Sequence, residues 1–119
     1  GVDEQVGILL SNDAGEMATI ALTLHAKQPK RGTIAYDKGY IELYEYPRGQ
    51  KAVITYTEDG SQEVIEVGET AKALSYEVAD MEKAVAGIEN TMHLAYTQDV
   101  MDIMTQLRKE WGLVYPEEV

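Results

Sequence analysis

Apolar and polar residues alternate with a period near two through the first 67 residues, and with helical spacing after about residue 70. Val6, Ile8 and Leu10 alternate with Gly7, Leu9 and Ser11. Asn12-Asp13-Ala14-Gly15 then supplies turn chemistry. A second strand runs from Glu16 to Ala26, with Ala18, Ile20, Leu22 and Leu24 on one side. Short strands follow at Gly32 to Tyr36, Tyr40 to Tyr46, Lys51 to Thr57 and Gln62 to Val67. Between them lie Asp37-Lys38-Gly39, Pro47-Arg48-Gly49-Gln50 and Glu58-Asp59-Gly60-Ser61. Asp37-Lys38-Gly39 reads as a tight hairpin turn in which Gly39 takes φ > 0. Turns this short place consecutive strands side by side, so a largely antiparallel meander is predicted.

After residue 70, Val78, Met81, Val85 and Ile88 fall on one side of a helix that Gly87 ends. Asn90 to Tyr96 reads as a linker. A second helix is predicted from Thr97, its N-cap, with Asp99 and Asp102 near the positive end of the helix dipole. Val100, Met101, Ile103, Met104, Leu107 and Trp111 form its apolar stripe. Arg108 and Lys109 occupy its last turn, and Gly112 follows as the C′ residue. Strands first and helices after predict the α+β class. The expected architecture is a single domain over residues 1–119. It has two layers: a mostly antiparallel open sheet of about six strands, with two C-terminal helices on one face. Two helices leave the other face of such a sheet without cover.

That open face is the candidate functional surface. Tyr40, Glu42, Tyr44 and Tyr46 share one side of their strand, and Ala52, Ile54 and Tyr56 share one side of the next. Ile41, Leu43 and Glu45 lie opposite the tyrosines, so large side chains stand on both sides, whereas a half-solvated strand alternates apolar with polar. Tyr combines a large contact area with a polar tip. Tyr40, Tyr44, Tyr46, Ile54 and Tyr56 are therefore the expected contacts of a sheet face that docks on another subunit or domain. Tyr is also an ordinary strand residue at half-exposed positions.

Composition narrows the chemistry. The chain has 119 residues, 10 basic against 21 acidic, and a formal net charge of −11. Such a chain repels nucleic-acid phosphates, so no nucleic-acid partner is expected. No cysteine is present, which removes disulfides, thiolate metal sites and a cysteine nucleophile. No apolar run approaches the ~20 residues of a membrane span, and no basic-plus-apolar signal segment opens the chain. His25 and His93 are the only histidines, and no HExxH-like spacing surrounds them. Ser11, Ser61 and Ser75 lack a G-x-S-x-G context. G-x-G-x-x-G and Walker loops are absent. Met81, Met92, Met101 and Met104 read as helix core. No spacing singles out a carboxylate pair. The residues thus assign no catalytic, cofactor-binding or metal-binding position.

Four stretches, in order along nearly the whole chain, resemble one family. These are Val2-Asp3-Glu4-Gln5-Val6 and Gly15-Glu16-Met17-Ala18-Thr19-Ile20. The third runs from Gly32 through Tyr36-Asp37-Lys38-Gly39 to Leu43, and the fourth is Trp111-Gly112-Leu113-Val114-Tyr115-Pro116-Glu117-Glu118. Together they resemble the C-terminal domain of the glucose–fructose oxidoreductase / inositol dehydrogenase (Gfo/Idh/MocA) family, nearest to its dihydrodiol-dehydrogenase-like members. They match its sheet entry, its second strand, its "G-x-I-x-G-x-x-G-x-I" hairpin and its terminal "G-(I/L)-x-Y-P-x-E". Tyr36 stands where that hairpin usually has Gly.

The resemblance implies a two-domain parent. An N-terminal Rossmann domain would bind NAD(P). The C-terminal α+β domain would border the substrate pocket and form the oligomer through its open sheet. The implied reaction is hydride transfer between the nicotinamide and a C–OH of a sugar, polyol or diol, in the cytoplasm. The family's dinucleotide glycines, its Glu-Lys-Pro lysine and its catalytic His have no counterpart here. This chain alone is therefore expected to hold no cofactor and to turn over no substrate. Gly1 in place of Met, followed at once by an alternating stretch, adds the expectation of a domain excised from a longer protein. Two other readings compete. One is a stand-alone β-sheet interaction or assembly module. The other is a small acidic enzyme built on a carboxylate pair.

Overall fold

In the computed structural model, which describes residues 3–116, period-two alternation produces six strands and helical spacing produces two α-helices. The strands are β1 (Gln5–Ser11), β2 (Met17–Thr23), β3 (Arg31–Tyr36), β4 (Gly39–Tyr44), β5 (Lys51–Tyr56) and β6 (Gln62–Glu66). After a short 3₁₀ turn at Thr70–Lys72 come α1 (Ala73–Val85) and α2 (Leu94–Glu110). Every strand pairing is antiparallel. The α+β class and the meander are as the pattern predicts.

The strands form two sheets rather than the expected one. β1 and β2 make a hairpin, and β3-β4-β5-β6 make a four-stranded sheet. The break falls after β2, where Pro29 removes a ladder donor and the flanking residues from Leu24 to Lys30 are solvated. The chain divides accordingly into two compact units. One comprises the hairpin and α2, and the other spans Pro29–Met92.

In the first unit, Asn12 closes the hairpin. Its Oδ1 accepts the backbone N–H of Ala14 (3.1 Å) and of Glu16 (3.0 Å). Pairing of Val6 with Leu22, Ile8 with Ile20 and Leu10 with Ala18 collects the apolar side chains on one face. Ile103 and Leu107 of α2 border the same groove as Leu10 and Ala18. α2 starts one turn earlier than Thr97. Its N-cap is His93 at φ 44, and no side chain caps it. Asn90 Oδ1 takes the Met92 N–H (3.1 Å), turning the chain before that point, so Leu94-Ala95-Tyr96 joins the helix instead of a linker. Asp99 consequently lies beyond the first turn, where the dipole argument loses its force. The C-terminus behaves as predicted. Gly112 at φ 61 lets Leu113 N–H reach Arg108 C=O and Gly112 N–H reach Lys109 C=O, which is a Schellman closure. Beyond it, the Arg108 guanidinium lies 5.0 Å from the Tyr115 ring centroid. Gly1 and Val2, and Glu117 and Glu118 of the terminal stretch, lie outside the described residues.

In the second unit, Gly39 is required for a different reason than a positive φ. It opens β4 opposite Tyr56, and a Cβ there would stand 2.3 Å from the Thr55 carbonyl oxygen. The turn before it is the two-residue Asp37-Lys38. Close backbone approach excludes every residue but glycine. Val53 is the only buried apolar residue among those described, at 8% exposure, and Thr55 is buried beside it. Thr70 fixes the start of the helical segment. Its hydroxyl donates to Arg48 C=O (2.8 Å), and its N–H donates to Gln50 Oε1 (3.2 Å). α1 ends as predicted. Gly87 at φ 70 supports bonds from Ile88 N–H to Lys83 C=O and from Gly87 N–H to Ala84 C=O.

Candidate functional site

Strand register decides which side chains share a face, because residues directly opposite one another in an antiparallel pair point the same way. Across β4 and β5, Tyr40 opposes Thr55, Glu42 opposes Val53 and Tyr44 opposes Lys51. Across β3 and β4, Arg31 opposes Tyr44 and Thr33 opposes Glu42. β6 adds Gln62, Val64 and Glu66. This face is polar and internally bonded. Tyr44 Oη donates to Glu42 Oε2 (3.1 Å), Arg31 Nη1 lies 3.9 Å from Glu42 Oε1, and the Arg31 guanidinium sits 5.7 Å from the Tyr44 ring centroid. Lys51 Nζ pairs with Glu66 Oε1 at 3.3 Å, and Gln62 Nε2 donates to Thr55 Oγ1 at 3.1 Å. The hydrogen bond to Glu42 holds the Tyr44 phenol above its ordinary value. Desolvation and the Glu42 charge push the same way, and Arg31 and Lys51 push against it.

The opposite face is apolar. Ile34 opposes Ile41, Gly32 opposes Leu43, Ile41 opposes Ile54 and Ala52 opposes Ile65. Tyr36 and Tyr56 stand at its margin, and Tyr56 Oη donates to Glu63 Oε2 at 3.4 Å. Ile34, Leu43, Tyr56 and Ile65 are all exposed, Ile34 at 47%.

The five contact residues expected from sequence therefore do not form one face. Tyr40 and Tyr44 lie on the polar face, and Ile54 and Tyr56 lie on the apolar one. The reason is parity. The β4–β5 turn pairs even-numbered residues of one strand with odd-numbered residues of the other, so Tyr40 and Ile54 point in opposite directions. Tyr46 lies beyond β4, past Glu45 at φ 57, and no strand pairing places it on either face. Ile34, Tyr36, Ile41, Leu43 and Ile65 complete the apolar face and were missed. The two-residue Asp37-Lys38 loop held the signal, since it sets Tyr36 against Gly39 and hence Ile34 against Ile41.

The remaining sequence candidates stay apart from this surface. His25 follows β2 in a bend and pairs Nε2 to Glu4 Oε2 at 2.7 Å, with both side chains exposed. His93 caps α2 and stacks on Tyr96 at 5.2 Å. Among the described residues, no cluster of three or more His, Asp or Glu side chains is arranged to hold a metal ion. Ser61 Oγ donates to Asp59 Oδ1 at 2.6 Å within the β5–β6 turn. That contact and the Ser61 N–H draw the Asp59 carboxyl below its ordinary value. This is turn chemistry, with no histidine to make a nucleophile of the serine. No helix among the described residues is long and apolar enough to cross a membrane. What the four-stranded sheet offers is contact area of two kinds, one face already satisfied by its own hydrogen bonds and ion pairs, the other apolar and open. No family model, curated protein or solved structure matches the chain.

Proposed function

We propose that this chain is the substrate-side and oligomerisation domain of a cytoplasmic NAD(P)-dependent oxidoreductase of the Gfo/Idh/MocA kind, acting on a sugar, polyol or diol C–OH. The observation that carries the assembly half of this reading is the apolar face of β3–β6, with Ile34, Leu43, Tyr56 and Ile65 exposed to solvent. Burying such a face gains about 25 cal/mol per Å² of apolar area removed from water, a gain set against the entropy lost on association, and monomers rarely leave large contiguous apolar patches exposed. The oxidoreductase half rests on the four matching sequence stretches. The partner on the sheet is a second copy of the chain, and the parent's Rossmann domain supplies the dinucleotide site and the catalytic lysine. The isolated chain binds no NAD(P)H in this reading.

Reading the gene upstream of codon 2 tests the parentage. A strand followed by G-x-G-x-x-G, with Glu-Lys-Pro further along, supports the oxidoreductase. A start codon directly upstream overturns it and leaves the stand-alone assembly module. Sedimentation velocity on the isolated chain tests the assembly half separately, with a concentration-dependent dimer as the expected result.

A further inference from the structure

β2 has an edge that nothing blunts. It runs from Met17 to Thr23 without a charge, a Pro or a Gly, and it pairs with β1 in one unbroken register. Exposed edges are normally shortened, charged or interrupted. The other edges are of that kind. β6 carries Glu63 and Glu66, and β3 starts at Arg31 and contains Gly32. β1 contains Gly7, and Trp111, Gly112 and Leu113 border it at Gln5, Val6 and Gly7. A two-stranded hairpin is marginal in water until a further strand or a helix completes it. Cover is one-sided here. Val6, Ile8 and Leu10 of β1 are half-buried, whereas Leu22 and Ile20, which oppose Val6 and Ile8 on the same face, are exposed by 53% and 38%. The missing cover lies on the β2 side.

Backbone parity selects the occupant. Leu24 N–H donates to Glu4 C=O (2.8 Å), and Asn12 N–H donates to Glu16 C=O (3.1 Å). These two pairs frame the β1–β2 ladder in its own register, so the even-numbered residues of β2 exchange its hydrogen bonds with β1. The N–H and C=O groups of Met17, Thr19, Ala21 and Thr23 therefore point outward. A second β2 laid antiparallel about Ile20 sets Met17 against Thr23 and Thr19 against Ala21, outward groups against outward groups over the whole strand. It also sets Ile20 against Ile20 and Ala18 against Leu22, which continues the apolar face of the hairpin across the junction. Charge does not oppose this contact. Most of a chain with net charge −11 repels a second copy, but residues 17–36 hold none of its 21 acidic side chains. We propose that β2 pairs with β2 of a second copy, two-fold about Ile20, to give a continuous four-stranded sheet of the order β1-β2-β2-β1. One strand per copy is a small contact and a weaker one than two sheet faces make. It shares no residue with the apolar face of β3–β6, so it stands or falls apart from the oligomer reading above.

The chain has no cysteine, so single cysteines report the register. Ile20→Cys sets the two Cα atoms about 4.5 Å apart across the junction, within disulfide reach. Leu22→Cys sets them about 14 Å apart along the strands, beyond it. Copper–phenanthroline oxidation of the full chain is expected to give at least about fivefold more disulfide dimer from Ile20→Cys than from Leu22→Cys on a non-reducing gel. A mixture of Ala18→Cys and Leu22→Cys chains should cross-link although neither does so alone. Thr19→Pro removes an outward N–H and no bond to β1, so it should abolish the Ile20→Cys cross-link. Thr19→Lys combined with Ala21→Lys, which sets like charges opposite one another, should do the same with less demand on the backbone. Circular dichroism should show these variants folded. Ile34→Asp combined with Leu43→Asp, on the other sheet, should leave the cross-link unchanged. Equal cross-linking of Ile20→Cys and Leu22→Cys, or an Ile20→Cys chain that stays monomeric on oxidation, overturns the proposal. Loss of the cross-link with Ile34→Asp and Leu43→Asp also overturns it, and assigns the contact to the sheet face.

Discussion

The two faces of the four-stranded sheet are built from the same strands yet solve opposite problems. On the polar face, Arg31, Tyr44 and Glu42 satisfy one another, Lys51 meets Glu66, and Val53 and Thr55 are buried, while Val64 on the edge strand is exposed. On the apolar face, Ile34, Leu43 and Ile65 are exposed and make no ion pair or hydrogen bond through their side chains. The buried hydrophobic side chain of this unit, Val53, thus lies on its more polar face. The stems of long polar side chains can cover apolar surface on a strand face. A face of short-reaching Ile and Leu stays exposed until another surface meets it. The difference separates what stabilises the unit from what is available for assembly.

Four measurements would break or sharpen that contrast. The largest effect is expected from Val53→Asp, which puts an unpaired charge at the one buried hydrophobic position among the described residues. A cost of about 3–5 kcal/mol, enough to abolish a cooperative thermal transition, is expected by circular dichroism. Retention of a normal transition would mean that the polar face does not hold the unit together. Next comes Ile34→Asp combined with Leu43→Asp. Self-association measured by sedimentation should weaken about a hundredfold, roughly 2.7 kcal/mol, while the melt of the dilute protein changes little. The third is a matched pair. Tyr56→Ser should weaken association about tenfold, whereas Tyr44→Ser, on the opposite face, should change it less than about twofold. Equal effects of the two would refute the division of faces.

The smallest effects are in pH. The Tyr44 phenol is held above its ordinary value of 10.0 by Glu42. Its contribution to stability is fully present below pH 10.0 and is lost as pH rises through the raised value. Asp59 is the opposite case. Its carboxyl is drawn below 3.8 by Ser61, so its contribution is present above that pH and is lost as pH falls through the lowered value. Melting temperatures of Tyr44→Phe and Asp59→Asn, followed against pH beside the parent chain, should converge with it at the alkaline and acid ends respectively. Divergence in the reverse direction would contradict the hydrogen bonds assigned to the two groups.

Much of this fold is legible in the chain. The Asn12 turn, the six strands and the glycine closures of both helices follow from local chemistry that acts within a few residues. The start of α2 was misplaced because His93 at φ 44 begins the helix without the side-chain cap that Thr97 advertised. The grouping of residues into sheet faces was legible only within each strand, for a related reason. Each strand's alternation is local, so Tyr40 with Tyr44, and Ile54 with Tyr56, were grouped correctly within their own strands. Which of those groups share a face depends on pairing across a turn.

The residues alone establish the α+β class, the meander and the absence of thiol chemistry, because alternation, turn residues and composition are properties of neighbours along the chain. Only the tertiary structure decides that the strands part into two sheets, that Gly39 is demanded by the Thr55 carbonyl, and that Tyr40 and Ile54 point apart. Register and close backbone approach are relations between segments distant in sequence. A shift of one residue in either would turn every side chain to the other face without altering the pattern from which it is read.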